Sequence, residues 1–282
     1  MSEIKSVAVV GASGALGPHV LKALLDANFQ VTVLTRSKKE GAYDANVKII
    51  EVDFTSVESL TAALKGIDAV VSTVAAQASQ VQTVIIDAAI AAGVKRFIPS
   101  DPMFKIKQYL QEKADAGQLT WTVLVCGAFL EFLFGGPLLL DFVNHKATLY
   151  DEGDNRLSST SLPNIGKAIA GILKNFEDTK NRIVRTSEVI LTQNKLVRIA
   201  EGIRPDIKWE TTKVQASAVL KEGLGEISAG DFSMPVILKV LAGTALGGDS
   251  YGSAYDETDN ELLGVKELSE EELKILVAQT LG

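Results

Sequence analysis

The stretch SVAVVGASGALGPHVLKALLDANFQVTVLTRS, residues 6–37, decides the fold. In it a valine-rich segment is followed by Gly11, Gly14 and Gly17 and then by a helical pattern. The first glycine allows a tight turn, the second lets the backbone approach a pyrophosphate, and the third lets the helix pack closely on the strand. The free N–H groups at the start of such a helix face an anion. The spacing therefore predicts a dinucleotide-binding turn, against the alternative of a purely structural one.

The second predicted strand ends in Thr35, Arg36 and Ser37, where an NAD-binding protein usually carries an acidic residue. A guanidinium group can pair with a ribose 2′-phosphate in fork geometry, whereas a carboxylate would repel it. This position therefore favours NADP (NADPH) over NAD as the cofactor. Lys38 and Lys39 beside it are equally compatible with a solvated basic loop.

Other cofactor contacts are expected in the glycine turn and at the ends of neighbouring strands. Asp53 and Phe54 end the third strand and are placed to flank the adenine. The remaining expected contacts are Ser13, Ala15, Leu16, Thr73, Val74, Ala75 and Ser100.

The first half of the chain alternates between strand and helix patterns. The strands are continuous apolar runs, as expected of strands buried on both faces, which predicts an α/β fold with a doubly wound parallel sheet, the NAD(P)-binding Rossmann type. The predicted strands are 7–10, 31–35, 48–52, 69–74, 96–99 and 120–125, and the predicted helices are about 18–27, 57–65, 80–92 and 107–116.

After Cys126 this alternation weakens, and we interpret the second half as a smaller interleaved α/β lobe that binds substrate. It would close over the carboxyl edge of the sheet, where ligands of open parallel sheets bind. Ser269 is the expected N-cap of an amphipathic C-terminal helix. The predicted boundaries are 1–150 for the NADP-binding domain, with returning segments at about 160–190, and 127–160 with 190–282 for the lobe.

Composition limits the function classes. The 282 residues carry a net charge of −7, which argues against a broad basic surface for nucleic acid. One cysteine and two histidines exclude an internal disulfide and leave little for a metal site, so none is expected. Residues 123–143 are apolar but contain Glu131 and Asp141, which indicates a buried strand and loop and not a membrane span. With no signal-peptide pattern at the start, we expect a cytoplasmic protein.

Five segments also carry a family resemblance: VAVVGASGALG, VTVLTRS, VQTVIIDAAIAAGVKRFIPSD, LTWTVLVCGAFLEF and DNELLGVKELSEEELKILV. They resemble the NmrA-like group of atypical short-chain dehydrogenases, specifically its fungal isoflavone reductase-like branch. The likeness runs from residue 6 to the C-terminus. It implies a Rossmann fold, NADPH as cofactor, and a cleft for phenolic or other secondary metabolites.

In that family the FIPS segment is followed by an acidic residue, Phe-Gly, a variable stretch and a helix that bears a substrate-positioning lysine. Here Ser100 and Asp101 are followed at once by PMFKIKQYLQEKA, through a deletion or through a loop missing from the sequence as given. The resemblance makes Lys105 the nearest match to the family lysine, with Lys107 as the substitute if the register slips. Both lysines are equally compatible with a solvated helix face.

Tyr109 is a competing catalytic candidate. With Lys113 it forms YLQEK, a YxxxK pattern one helical turn apart, in which ordinary short-chain dehydrogenases use the ammonium group to lower the tyrosine pKa. The alternative is that this tyrosine packs against the protein. Substrate contacts are expected from Asp101, Gly127, Phe129 and Phe132, although aromatic residues in such a run are more often core.

These observations predict an NADPH-dependent reductase of a small, aromatic or conjugated secondary metabolite, acting as a monomer or homodimer with no nucleic-acid or membrane partner. Two alternatives stay open. One is a dinucleotide-binding regulator without turnover, and the other is an enzyme that uses bound NADP(H) as a scaffold for a non-redox cyclisation or isomerisation.

Overall fold

Short runs of β-branched residues form the strands of the central sheet. In the first of them Val7 and Val9 expose none of their surface, as expected of a strand covered on both faces. The computed structural model describes residues 4–38, 41, 43–75, 80–100, 104–136 and 138–281, without the side chains at 104 and 105. The strands are β1 Ser6–Val10, β2 Gln30–Thr35, β3 Lys48–Glu51, β4 Ala69–Ser72, β5 Arg96–Ile98, β6 Thr120–Val125, β7 Ala128–Phe129, β8 Lys146–Tyr150, β9 Leu157–Thr160, β10 Arg182–Arg185, β11 Val189–Leu191 and β12 Glu210–Val214.

Several helices begin at side chains that accept the first free N–H groups. Ser56 caps the second helix and Thr192 the seventh. Ser269 and Glu272 form a reciprocal capping box at the last helix, which confirms the predicted N-cap. The helices are α1 Gly17–Asp26, α2 Val57–Leu64, α3 Val81–Ala92, α4 Phe104–Asp115, α5 Leu130–Phe134, α6 Leu162–Lys174, α7 Gln193–Ile203, α8 Ala216–Ser228, α9 Met234–Ala245, α10 Asn260–Leu263 and α11 Glu270–Leu281.

The central sheet has seven strands in the order β10-β6-β5-β4-β1-β2-β3. Every pair in it is parallel, and the order reverses between β1 and β4. Ligands of such sheets bind at this switch point, outside the carboxyl ends of the strands. The predicted doubly wound parallel sheet is confirmed, and the site-bearing turn after β1 lies beside the switch point.

The chain divides into two compact units, and the first contains the sheet. It comprises Met1–Val125, Leu162–Thr186 and Asp259–Val265. One sheet face packs against α2, α3 and α4 through a buried apolar cluster that includes Leu60, Ile86 and Leu110. On α6 a Cβ at Gly166 would lie 2.5 Å from the carbonyl oxygen of His19, so α1 and α6 are in close backbone contact.

Arg96 on β5 is a fully buried cation in this unit. Its guanidinium donates to the hydroxyls of Thr120, Thr122 and Thr179 and to the carbonyl of Phe176, and it lies 4.3 Å from the centre of the Phe176 ring. Burial lowers the pKa of Arg96 to about 10. Thr120 and Thr122 lie on β6, and Phe176 and Thr179 follow α6, so Arg96 links β5 to both segments. These bonds compensate for burying its charge.

The second unit comprises Cys126–Ser161, Ser187–Thr258 and Lys266–Gly282. It holds a three-stranded sheet in the order β11-β9-β7 and the parallel pair β12 and β8. Its apolar cluster includes Leu133, Leu191, Leu196, Leu246 and Val277. Helices α8 and α9 pack on each other, with Gly243 against the backbone of Leu220.

Two parts of the chain differ from the sequence prediction. Helix α4 begins at Phe104 and not near position 107, so the helix already includes both candidate lysines. The run 123–143 forms the end of β6, then β7 and the short helix α5. None of the helices in the described ranges has the length and apolar character that a bilayer crossing requires.

Candidate dinucleotide-binding site

The turn after β1 requires glycine at position 11. Gly11 has φ of +84°, and a Cβ there would lie 2.7 Å from the backbone carbonyl of Thr73. Thr73 is held in place because its N–H and its hydroxyl both donate to the carbonyl of Val10, at 2.8 and 3.0 Å. The turn therefore combines a left-handed residue with a close approach to the end of β4, and both exclude a side chain.

The start of α1 presents N–H groups without a side-chain cap. The N-cap position is Leu16, which has no oxygen to offer, and the helix begins at Gly17. A Cβ at Gly17 would lie 2.3 Å from the carbonyl of Ala12, so the turn folds tightly against the helix. Gly14 closes the turn by donating from its N–H to the Gly11 carbonyl at 3.0 Å. An uncapped helix start beside a glycine turn is the arrangement that suits a phosphate group.

A cavity of about 360 Å³ lies along this turn. The structure brings together nine of the predicted cofactor contacts around it: Gly11, Ser13, Gly14, Thr35, Arg36, Phe54, Thr73, Val74 and Ala75. Tyr43, which the sequence did not single out, also lines it. Ala15, Leu16, Gly17, Ser37, Asp53 and Ser100 are not among its lining residues.

Arg36 stands at the end of β2 on an ordered turn. The Thr35 hydroxyl accepts from the Ser37 N–H at 3.3 Å and donates to the Ser37 carbonyl at 3.0 Å. The Lys38 N–H then donates to Glu51 Oε2 at 3.1 Å. The Arg36 side chain itself is exposed, and no ion pair to it occurs among the described residues. Its guanidinium is therefore available to an anionic ligand.

A second cavity of about 530 Å³ shares Arg36 and Phe54 with the first. Glu51, Val52, Asp53, Thr55 and Ser59 complete its lining. The Asp53 carboxylate accepts from the Thr55 hydroxyl at 2.7 Å and the Thr55 N–H at 2.8 Å, and these two bonds lower its pKa. Asp53 is thus an ionised group whose Oδ1 is already engaged in organising the β3–α2 turn.

Ser100 lies at the end of β5 and is linked to the start of α3. Its N–H donates to Gln82 Oε1 at 3.1 Å. Gln82 exposes none of its surface. Its Nε2 has no hydrogen-bond partner within the described ranges, and neither do the hydroxyls of Ser100 and Ser72. Buried polar groups without a partner are uncommon and concentrate at functional sites. These three side chains follow or border the carboxyl ends of β4 and β5.

The candidate lysines are both in α4. The side chain of Lys105 and all of Asp101 lie outside the described residues. Lys107 is half-buried, and no ion pair to it occurs in the described part of the chain. Positions 105 and 107 are about 200° apart around the helix axis, so the two lysines cannot both serve one site.

Tyr109 lies beside Lys113, whose Nζ is 4.7 Å from the centre of its ring, but it also contacts a carboxylate that the YxxxK interpretation does not include. Its hydroxyl donates to Asp87 Oδ1 on α3 at 2.5 Å, and Lys113 Nζ lies 3.8 Å from the same carboxylate. Burial raises the pKa of Tyr109, and the bond to Asp87 raises it further. The catalytic role needs a lowered pKa, and Lys113 lowers it by less than burial and Asp87 raise it. This environment favours the alternative, a packed tyrosine, and the catalytic role of Tyr109 stays a prediction.

The predicted substrate contacts that the structure describes lie in the second unit. Gly127 has φ of +66°, and its N–H donates to the Tyr255 hydroxyl at 3.1 Å. Phe129 and Phe132 contact each other with ring centres 5.5 Å apart, and Phe132 is 55% exposed. Burial raises the pKa of Cys126 to about 12, which makes its thiol a poor nucleophile.

Three residues near the sheet edge were missed from the sequence: Tyr43, Glu51 and Gln82. Tyr43 lies in a polar loop whose sequence indicates no particular structure. Gln82 is one polar residue in an apolar helical run, a pattern that by itself indicates surface and not a buried amide. A glutamate at the end of an edge strand, such as Glu51, is likewise typical of a solvated position.

Comparison with known proteins agrees with this geometry. The profile of the NmrA-like family matches residues 3–115. The oxidoreductase aprR of Aspergillus flavus is 31% identical over 92% of this chain and 94% of its own length.

Among solved structures, an isoflavone reductase superposes with a TM-score of 0.77 at 21% identity, over 97% of this chain and 99% of the other. The quinone oxidoreductase QOR2 of Escherichia coli, in complex with NADPH, superposes with a TM-score of 0.76 at 17% identity, over 98% of this chain and all of the other. At this identity the two structures establish the fold. The family profile and the Aspergillus flavus relative, which matches over most of both chains, show that the chain belongs to the NmrA-like family.

Proposed function

We propose that the protein is an NADPH-dependent reductase of a small aromatic or conjugated metabolite. The observation that carries this proposal is the turn from Gly11 to Gly17, where two positions exclude a Cβ and the helix start has no side-chain cap. A glycine turn followed by an uncapped helix start fits a diphosphate group. The oxidoreductase name of the Aspergillus flavus relative and the NADPH bound to QOR2 support the same assignment.

In this proposal the first unit binds the cofactor. The N–H groups of the turn hold the diphosphate. Phe54, which lines both cavities, and Tyr43, which lines the first, border the adenosine. Arg36 pairs with the 2′-phosphate through its exposed guanidinium. Bound NADPH supplies the hydride, and the chain supplies position and electrostatic field.

The second unit is proposed to bind the substrate. Gly127, Phe129 and Phe132 offer apolar contacts, and Asp101 is proposed as a polar one. Lys105 is proposed to orient the substrate or deliver its proton, with Lys107 as the alternative. Tyr109 is not assigned the proton transfer in this proposal, because its hydroxyl donates to Asp87.

The test is the transfer of hydrogen to product. The protein is incubated with quinones or isoflavones and NADPH deuterated at the nicotinamide C4 position. We expect loss of the near-ultraviolet absorbance of NADPH and deuterium in the product. Binding of NADPH without consumption by any member of the panel would contradict the reductase assignment and favour a regulator. Product that forms equally with NADP⁺ would favour a non-redox reaction.

A further inference from the structure

The 530 Å³ cavity beside Arg36, the residue proposed to pair with the 2′-phosphate, carries more negative than positive charge. Its described lining has one cation, Arg36, and two carboxylates, Glu51 and Asp53. A dianionic phosphate ester would normally meet an excess of positive charge at its binding site. The sequence analysis accounts for the presence of Arg36 at this cavity. It does not account for the two carboxylates.

Asp53 has a structural explanation. Its Oδ1 accepts both hydrogen bonds from Thr55, and its own N–H donates to the Ser59 hydroxyl at 3.1 Å. These bonds form the turn between β3 and α2. The Asp53 carboxylate is therefore explained by its role in that turn.

Glu51 is different because its side chain reaches across to the turn that carries Arg36. It ends β3 directly opposite Thr35 in the parallel ladder with β2. Its Oε2 accepts the Lys38 N–H at 3.1 Å, and no ion pair to it occurs among the described residues. The carboxylate is therefore fixed on the 35–38 turn, lines the same cavity as Arg36, and is not neutralised by a described basic side chain.

We propose that Glu51 is a specificity-determining residue that limits the preference for the 2′-phosphorylated cofactor. This inference rests on the proposed NADPH site. The carboxylate opposes the phosphate that Arg36 attracts, so discrimination between NADPH and NADH is smaller than the guanidinium alone would produce. Its hydrogen bond to Lys38 keeps the opposing charge at a fixed place in the cavity.

Glu51→Gln separates charge from geometry, because a glutamine oxygen can still accept the Lys38 N–H. Glu51→Ala removes both. Glu112→Gln on α4 is the matched control, since Glu112 is exposed and lines neither cavity. The probes are adenosine 2′,5′-bisphosphate and 5′-AMP, which differ only in the 2′-phosphate, followed by NADPH and NADH.

Dissociation constants from calorimetry give the result without any activity assay. We expect Glu51→Gln to bind adenosine 2′,5′-bisphosphate about two- to fivefold more tightly, and 5′-AMP unchanged. The gain should shrink at high ionic strength, because the interaction is between exposed charges. Glu112→Gln should bind both probes as the natural protein does. Glu51→Ala should gain less than Glu51→Gln if the turn is loosened.

Arg36→Ala separates failure of this inference from failure of the cofactor site. If Arg36→Ala weakens the bisphosphate while Glu51→Gln leaves it unchanged or weakens it, the inference is overturned and the NADPH site stands. If neither variant changes the ratio between the two probes, the 2′-phosphate site itself is wrong, and the inference falls with it.

Discussion

The Tyr109 hydroxyl donates a hydrogen bond to Asp87, 2.5 Å away on the neighbouring helix. This bond and burial raise the pKa of the phenol, so it stays protonated throughout the neutral range. We therefore expect Tyr109→Phe to keep the turnover of the natural protein. It should lose about 0.5–1.5 kcal/mol of unfolding free energy with the hydrogen bond. Steady-state kinetics and urea unfolding measure the two effects.

Lys113→Met is the companion variant. A tyrosine activated by this lysine would contribute about 10²–10⁴-fold to the rate, so both variants would then be nearly inactive. Loss of turnover on that scale in a folded Tyr109→Phe protein would restore the YxxxK interpretation.

Gly11 and Gly93 provide a matched pair of left-handed glycines. Both have positive φ, but a Cβ at Gly11 meets the Thr73 backbone at 2.7 Å while one at Gly93 meets nothing within 4 Å. We expect Gly93→Ala to lower stability by about 1 kcal/mol and leave NADPH binding unchanged. Gly11→Ala should bind NADPH at least about tenfold more weakly, because the turn must shift. Thermal melts and nucleotide titration distinguish them, and equal binding by the two variants would contradict the diphosphate assignment.

Arg36 is expected to account for most of the attraction to the 2′-phosphate. A hydrogen bond to a charged group is worth about 1.5–3 kcal/mol, so Arg36→Ala should weaken NADPH about 10–100-fold and NADH little. Arg36→Lys should recover only part of this, because an ammonium group lacks the fork geometry. Binding titrations with both cofactors measure the ratio. A ratio unchanged in Arg36→Ala would remove the argument for NADPH.

Asp68 gives a prediction about acid stability. Burial would raise its pKa, but the hydrogen bonds from Lys95 and from the N–H groups of Ser6 and Lys5 lower it from 3.8 to about 2. Between these two pKa values the Asp68 carboxylate binds a proton more readily in the unfolded chain than in the folded one. The folded state therefore loses stability as the pH falls. We expect this carboxylate to contribute about 2 kcal/mol above about pH 4, lost as the pH falls through about 2.

Urea unfolding of Asp68→Asn across this range measures the contribution. The difference from the natural protein should be largest near neutral pH and disappear in acid. Asp26→Asn is the control, because its ion pair with Lys22 is exposed on both sides and should contribute little. A difference that persists unchanged in acid would show that Asp68 acts through packing and not through its charge.

The sheet could be predicted from the sequence because its strands are apolar on both faces and its turns carry glycine. The glycine turn and Arg36 could also be predicted, because each is recognised from residues that are adjacent in the sequence. Strand β12 was missed because Glu210–Val214 is mostly exposed and polar, and its pairing with β8 is a long-range event. Helices α8 and α9 could not be predicted because Leu224, Met234 and Leu241 are exposed apolar residues, which weakens the amphipathic pattern.

The partners of single polar residues could not be predicted in the same way. The bond from Tyr109 to Asp87 joins two helices, and the bond from Ser100 to Gln82 joins a strand end to a helix start. Neither sequence position indicates its partner. The charge balance beside Arg36 likewise depends on which residue of β3 aligns with Thr35, and that register is a property of the folded sheet.

The buried guanidinium of Arg96 bears on how the protein matures during synthesis. Thr179 and Phe176, which receive two of its hydrogen bonds, lie beyond the whole first stretch of the second unit. A nascent chain that has emerged only as far as Val125 would have to bury this cation without them, at a cost of several kcal/mol. We therefore expect the first unit to complete its fold only after the segment Leu162–Thr186 has been translated, although its first six strands are made earlier.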